Sequence, residues 1–262
     1  MTLWNNEVHA QSEQSFNLLD FGAIGDGNID DSQILGKIIG PKSLSDYPTP
    51  TPDSWLEISK VDGLYVSGDG IIDGRRQVWW KTCRGNDCPR RPATAAFISC
   101  NNLTLRGLTF VNSSRNHISI RSCNNVIISR LIIQAPGDSV NTDDIDITFF
   151  KFCCDQPMLH CNSMLSDDCV AITNESHDIN ITKVHCGPGH GISIGSLGKG
   201  GGNDTIQNVH VWNCTFKDTT NGARIKTWQE GLGFARNIIY EDLLFENASN
   251  PIIIDQFYCP GQ

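Results

Sequence analysis

The chain lacks any run of about 18 consecutive apolar residues, the length a helix needs to cross a bilayer, so no membrane span is expected. It also lacks an excess of positive charge: 20 Lys and Arg stand against 29 Asp and Glu, a formal charge of -9. An acidic surface argues against nucleic acid as a partner. The opening stretch MTLWNNEVHAQSEQSF has neither a basic n-region nor an apolar h-region and does not read as a signal peptide. Zinc spacing is missing too. Cys83 and Cys88 form C-x4-C without a matching second pair, so no metal is expected, nor any cofactor.

What is present is a globular composition, 39% hydrophobic and 19% charged over 262 residues, enough for one large domain spanning 1–262 with an unstructured start at 1–15. Eleven cysteines accompany seven Asn-X-Ser/Thr sequons, at Asn102, Asn112, Asn174, Asn180, Asn203, Asn213 and Asn247. Together they favour an oxidising, secretory route and an extracellular destination.

Short runs rich in Val, Ile and Thr between 24 glycines read as mostly β. The runs repeat. CNNLTLRGLTF from Cys100 returns as CNNVIISRLII from Cys123, a period of 23, and looser copies start at His177, Ile206 and Ala235. Leucines at the fixed offsets of a leucine-rich repeat are absent, and a propeller blade is longer. The pattern predicts an all-β chain, a right-handed parallel β-helix. A β-sandwich with accidental similarity is the alternative, and the near-identical Cys-Asn-Asn starts argue against it.

In such a coil, residues one period apart stack on neighbouring strands about 4.8 Å apart. From Asp143 to Asp167 is 24 residues, and from Asp167 to His190 is 23. Asp143, the pair Asp167-Asp168 and His190 are therefore expected on one face of three successive coils. Arg224 and Lys226 follow after one further coil plus the loop SLGKGGGND. A lone Asp-Asp pair is usually a surface turn. Stacked with a third carboxylate, a histidine and two cations, it reads instead as acid/base chemistry, because clustered carboxyls force their proton affinities apart.

Asn141-Thr142-Asp143, Asp167-Asp168, Gly189-His190-Gly191 and Arg224-Ile225-Lys226 resemble, in order and spacing, the four signatures of the polygalacturonases, glycoside hydrolase family 28. The flanks FNLLDFGAIGDG, IIDGRRQVWW and PIIIDQFYC resemble its plant members. The resemblance implies a parallel β-helix that hydrolyses α-1,4 bonds of pectate (homogalacturonan) with inversion, as a secreted monomer acting on the cell wall. It implies that Asp167 is the general acid, that Asp143 and Asp168 hold the attacking water, and that His190 tunes the acid. It further implies that Arg224 and Lys226 grip a substrate carboxylate, with Tyr258 and Asn141 at the substrate, and that Cys169 and Cys186 form a disulfide. Inversion asks for acid and base carboxyls about 6.5–9.5 Å apart, which neighbouring coils can provide.

The chain departs from the family at four places. The stretch after DFGAIGDGNIDD is shortened, and the sequence stops at FYCPGQ, so a solenoid incomplete at both ends is expected. Asp144 and Ser166 stand where glycines are usual, and Asp144 is expected to add a carboxylate to the cleft. The stretch TFFKFCCDQPMLHCNSML, with Pro157, reads as a degenerate coil. Two rival functions are a non-catalytic pectate-binding relative and a calcium-dependent lyase; a lyase would have no need of His190.

Overall fold

Runs such as Leu103–Arg106 and Ile145–Thr148 bury every second side chain, the period-two signature of a strand with one face on a core. The computed structural model describes residues 2–3, 7–9, 32–81, 90–135, 142–150, 159–164 and 167–258. Eight strands form one sheet in chain order: β1 (Ser54–Ser59), β2 (Ala93–Ile98), β3 (Ile118–Arg121), β4 (Ile145–Thr148), β5 (Val170–Thr173), β6 (Ile192–Leu197), β7 (Asn221–Thr227) and β8 (Asn250–Asp255). Every pairing in it is parallel, and each strand from β2 to β7 bonds to the one a coil earlier and the one a coil later. The other strands form a second sheet, also parallel. In it Val126–Gln134 pairs through its first half with Leu103–Arg106 and through its second half with Thr109–Val111. Parallel neighbours reached by a full turn of chain make a β-helix, right-handed as such crossovers are. The register Leu103 to Val126 reproduces the period of 23 read from the sequence.

Inside the coil, like stacks on like. Ile118, Ile145, Val170 and Ile192 form one fully buried column, and Ile120, Ile147, Ile172 and Ile194 form another. Each such side chain contributes about 1.5–3 kcal/mol on burial. The Cys-Asn-Asn repeat has its own reason. Asn102 and Asn125 turn the corner at φ 53° and 52°, a left-handed conformation that asparagine tolerates. Their amides stack: Asn125 Nδ2 donates to Asn102 Oδ1 at 2.7 Å, and Asn124 Nδ2 donates to Asn101 Oδ1 at 2.8 Å.

Two expectations change. The opening segment is not wholly unstructured: Thr2–Leu3 pairs with Gln33–Ile34, and Glu7–His9 with Lys37–Ile39, because a ladder edge templates any neighbouring extended chain. The coil read as degenerate still places a strand, Leu159–Met164, against Ile128–Gln134; Pro157 lies outside the described residues.

At the other end of the described structure the core columns lie open. Ile252 and Ile254 of β8 sit in register with Ala223 and Ile225, yet they are 72% and 65% exposed. Apolar side chains along an unpaired parallel edge invite association. A chain that stops at this strand is expected to self-associate, and Ile252→Lys with Ile254→Glu to reduce this in sedimentation velocity runs at matched concentration. Unchanged association would place the contact elsewhere.

Candidate active site

The turns leading into β4, β5 and β6 are bonded to one another before the strands begin. His117 N–H donates to Asp143 O at 2.9 Å, Asp144 N–H to Asp168 O at 3.0 Å, and His190 N–H to Asp167 O at 2.9 Å. Asp143, Asp167-Asp168 and His190 thus occupy the same place on three successive coils. Gly191 is required at the third turn: it holds φ +84°, and a Cβ there would collide with the carbonyl of Gly222 on the next coil. Cys169 and Cys186 are joined by a disulfide, Cα to Cα 6.0 Å, which ties the Asp167-Asp168 turn to the segment just before His190.

Asp168 is the buried centre of the site. Its Oδ2 accepts from Lys226 Nζ at 2.6 Å, its Oδ1 accepts from Ser193 Oγ at 2.7 Å, and Arg224 lies 3.7 Å from Oδ1. Its backbone N–H donates both to Asp167 Oδ1 at 3.0 Å and to Asp143 Oδ1 at 3.2 Å. Asp167 faces His190 Nδ1 at 3.0 Å, and these are the site's more open groups, 18% and 38% exposed. Tyr258 covers the cations: Arg224 and Lys226 lie 5.3 and 5.4 Å from its ring centre. Asn141 lies outside the described residues.

Sequence reasoning missed Asp146 and Ser193. Both point out of the cleft sheet in one column, Ser119, Asp146, Ala171, Ser193, Arg224, where the small Ala171 and Ser193 leave room above the strands. The alternation Ile145-Asp146-Ile147 was the available signal. Asp144 is corrected in the other direction. It adds nothing to the cleft but lies fully buried, 3.8 Å from the equally buried His117. Burial pushes His117 down to about 4, and its Nε2 accepts from the Ser113 N–H at 3.3 Å.

Lys226 is expected to grip a substrate carboxylate; in the structure its side chain is 7% exposed and bound to Asp168. A charge at that depth needs a partner, and Asp168 is the partner the register supplies.

The carboxyls divide as clustered acids should, but the proton is not where the resemblance places it. Burial, then the negative charges of Asp146, Asp168 and Asp167, hold Asp143 well above the usual carboxylate range. Burial likewise lifts Asp146 to about 6, moderated by its hydrogen bond with Asp143. Burial also pushes Asp167 up, but the hydrogen bond and charge of His190 and the Asp168 N–H outweigh it, leaving Asp167 lowered. The raised carboxyls are therefore Asp143 and, to a lesser extent, Asp146. Asp143 and Asp167 lie side by side, both accepting from the Asp168 N–H, at 3.2 and 3.0 Å.

Asp167, Asp168 and His190 could each turn one atom toward a cation, all within 4.8 Å. Both Asp168 oxygens are already engaged, one by an ammonium that would repel the metal, so the trio reads as a proton-transfer group.

Residues 32–262 match the family model described as "Glycosyl hydrolases family 28". The chain belongs to this family. A probable polygalacturonase of Arabidopsis thaliana is 46% identical over 229 residues, 87% of this chain and 48% of the relative. A polygalacturonase of Nicotiana tabacum is 36% identical over 84% of this chain and 55% of its own length. The chain spans about half the length of these curated relatives. Among solved structures of the same fold, the endo-xylogalacturonan hydrolase of Aspergillus tubingensis superposes with a TM-score of 0.81 at 23% identity, over 98% of this chain and 69% of that one. The polygalacturonase of Erwinia carotovora does so at 0.73 and 22%, over 87% and 67%. Membership fixes the family and leaves activity and substrate to be argued from the cleft.

Proposed function

We propose that the chain hydrolyses α-1,4-galacturonosyl bonds of pectate by inverting general acid/base catalysis, outside the cell. The observation that carries this is the stacking of Asp143, Asp167-Asp168 and His190 on successive coils, beside an Arg224–Tyr258 face suited to a sugar acid. The names of the polygalacturonase relatives support the substrate class, and the buried disulfide supports a secretory route.

Asp167 protonates the leaving oxygen, because it is the most open of the charged carboxyls and pairs with His190 at the mouth. Its carboxyl is held low and lies beside Asp143, whose carboxyl is held high, both accepting from the Asp168 N–H. Substrate covering the mouth strengthens the desolvation that already pushes Asp167 up. One proton passing from Asp143 to Asp167 then arms both partners at once. Asp167 becomes the acid, and Asp143 becomes the base that, with Asp168, holds the water. Asn141 keeps its place at the substrate by resemblance.

The test is release of new reducing ends from polygalacturonate without the ultraviolet absorbance of an unsaturated product, the first-formed sugar being the β-anomer by NMR. Unsaturated product would mean a lyase, and binding without product a non-catalytic relative.

The shared proton sets the pH dependence. A raised carboxyl keeps its proton below its pKa and loses it as pH rises, so kcat/KM is expected to fall as pH rises through the raised pKa of Asp143. Asp146→Asn removes a negative charge that helps Asp143 keep its proton, so the falling limb should move to lower pH. A limb that stays put would show that Asp146 does not set the proton affinity of Asp143.

A further inference from the structure

A polyanionic substrate needs exposed positive charge, yet the two cations nearest the acids are largely enclosed: the Arg224 side chain is 13% exposed and that of Lys226 7%. The aromatic that covers them leads to a third cation. Tyr258 meets Trp228 edge to face at 6.3 Å, and Lys199 lies over Trp228 with Nζ 5.5 Å from the ring centre. Lys199 is exposed, and among the described residues no carboxylate pairs with it.

The backbone beneath is fixed. Trp228 N–H donates to Leu197 O at 2.7 Å, so Trp228 stands at the end of β7 directly beside the end of β6. The loop 198–202 is bonded at Gly198 N–H to Asp204 Oδ2 at 2.7 Å, and Leu232 N–H donates back to Gly202 O at 2.8 Å. Gly198 and Gly231 touch backbone to backbone, so a side chain on either would lift the loop off the Trp228 turn. The contact between two glycines is what brings Lys199 over the indole.

We propose that Lys199 and Trp228 form a carboxylate-binding subsite for a second sugar-acid unit, adjacent to the unit at Arg224 and Tyr258. It rests on the reading of the cleft as a pectate site. The indole offers an apolar face to a sugar ring. An exposed ammonium resting on an aromatic face is weakly held, and a carboxylate gives it a stronger, charge-assisted contact. Buried Lys226 holds the catalytic acid's neighbour, while exposed Lys199 takes the solvent-borne charge.

The experiment uses the full chain with galacturonate oligomers from trimer to hexamer and their methyl esters. Binding is followed by titration calorimetry and cleavage by reducing ends. For Lys199→Gln, the affinity for the longer acidic oligomers is expected to fall about tenfold. The shortest oligomer that binds, and all methyl esters, should be unaffected, and Lys199→Arg should retain the parent's affinity. Losses equal at every length, or losses that persist with the esters, or none, would overturn the subsite. Length-dependent loss of binding without any cleavage by the parent would sustain the subsite and remove the hydrolytic function. No binding of any acidic oligomer by the parent would remove both.

Discussion

Asp167→Asn is expected to lower turnover on polygalacturonate by about 10²–10⁴-fold while polymer binding stays within a few-fold of the parent. The amide is nearly isosteric, and its oxygen can still accept from the Asp168 N–H and face His190, so the turn should survive. It cannot deliver a proton. Rates of reducing-end release and calorimetric titration of inactive complexes separate the two effects. Turnover close to the parent's would transfer the acid role to Asp143, the carboxyl held well above the usual range.

Lys226→Met is expected to destabilise the fold by about 3–5 kcal/mol, the cost of leaving one member of a buried ion pair without its counter-charge. The 2.6 Å contact with Asp168 and the near absence of solvent at both side chains make this pair internal. Adding Asp168→Asn to Lys226→Met should recover much of the loss, since the unpaired charge is then gone too. Urea unfolding of the single and double variants measures both. A single-variant loss under about 1 kcal/mol would show that water reaches the pair, as it does in surface pairs.

The sequence made the coil legible because a repeat of 23 and a strand alternation of two are both one-dimensional signals, and the ladders of Ile118, Ile145, Val170 and Ile192 obey both. The same arithmetic brought Asp143, Asp167, Asp168 and His190 together. It could not say which way a side chain turns at the bend before a strand. Asp143 and Asp144 are neighbours in sequence, yet one faces the acids and the other faces His117 inside. Nor could it foresee that Lys226 would reach across β6, past Ser193, to Asp168: depth and side-chain reach are three-dimensional quantities that spacing does not encode. Asp146 was visible in the alternation, but beside the Thr-Asp-Asp run it drew no notice.

The parallel ladder also fixes what variation can do to this cleft. Groups carried by β4 to β7 can move along the coil axis only in whole strand spacings, about 4.8 Å at a time, because a smaller slip would break every bond of the ladder. The cleft is a ruler with fixed graduations. Fine adjustment to a polymer of different charge spacing falls to the cursor, the glycine-rich loop at 198–202, whose length can change without disturbing a rung. Divergence in specificity among such chains should therefore be written in that loop and its counterparts, while the acids stay at their marks.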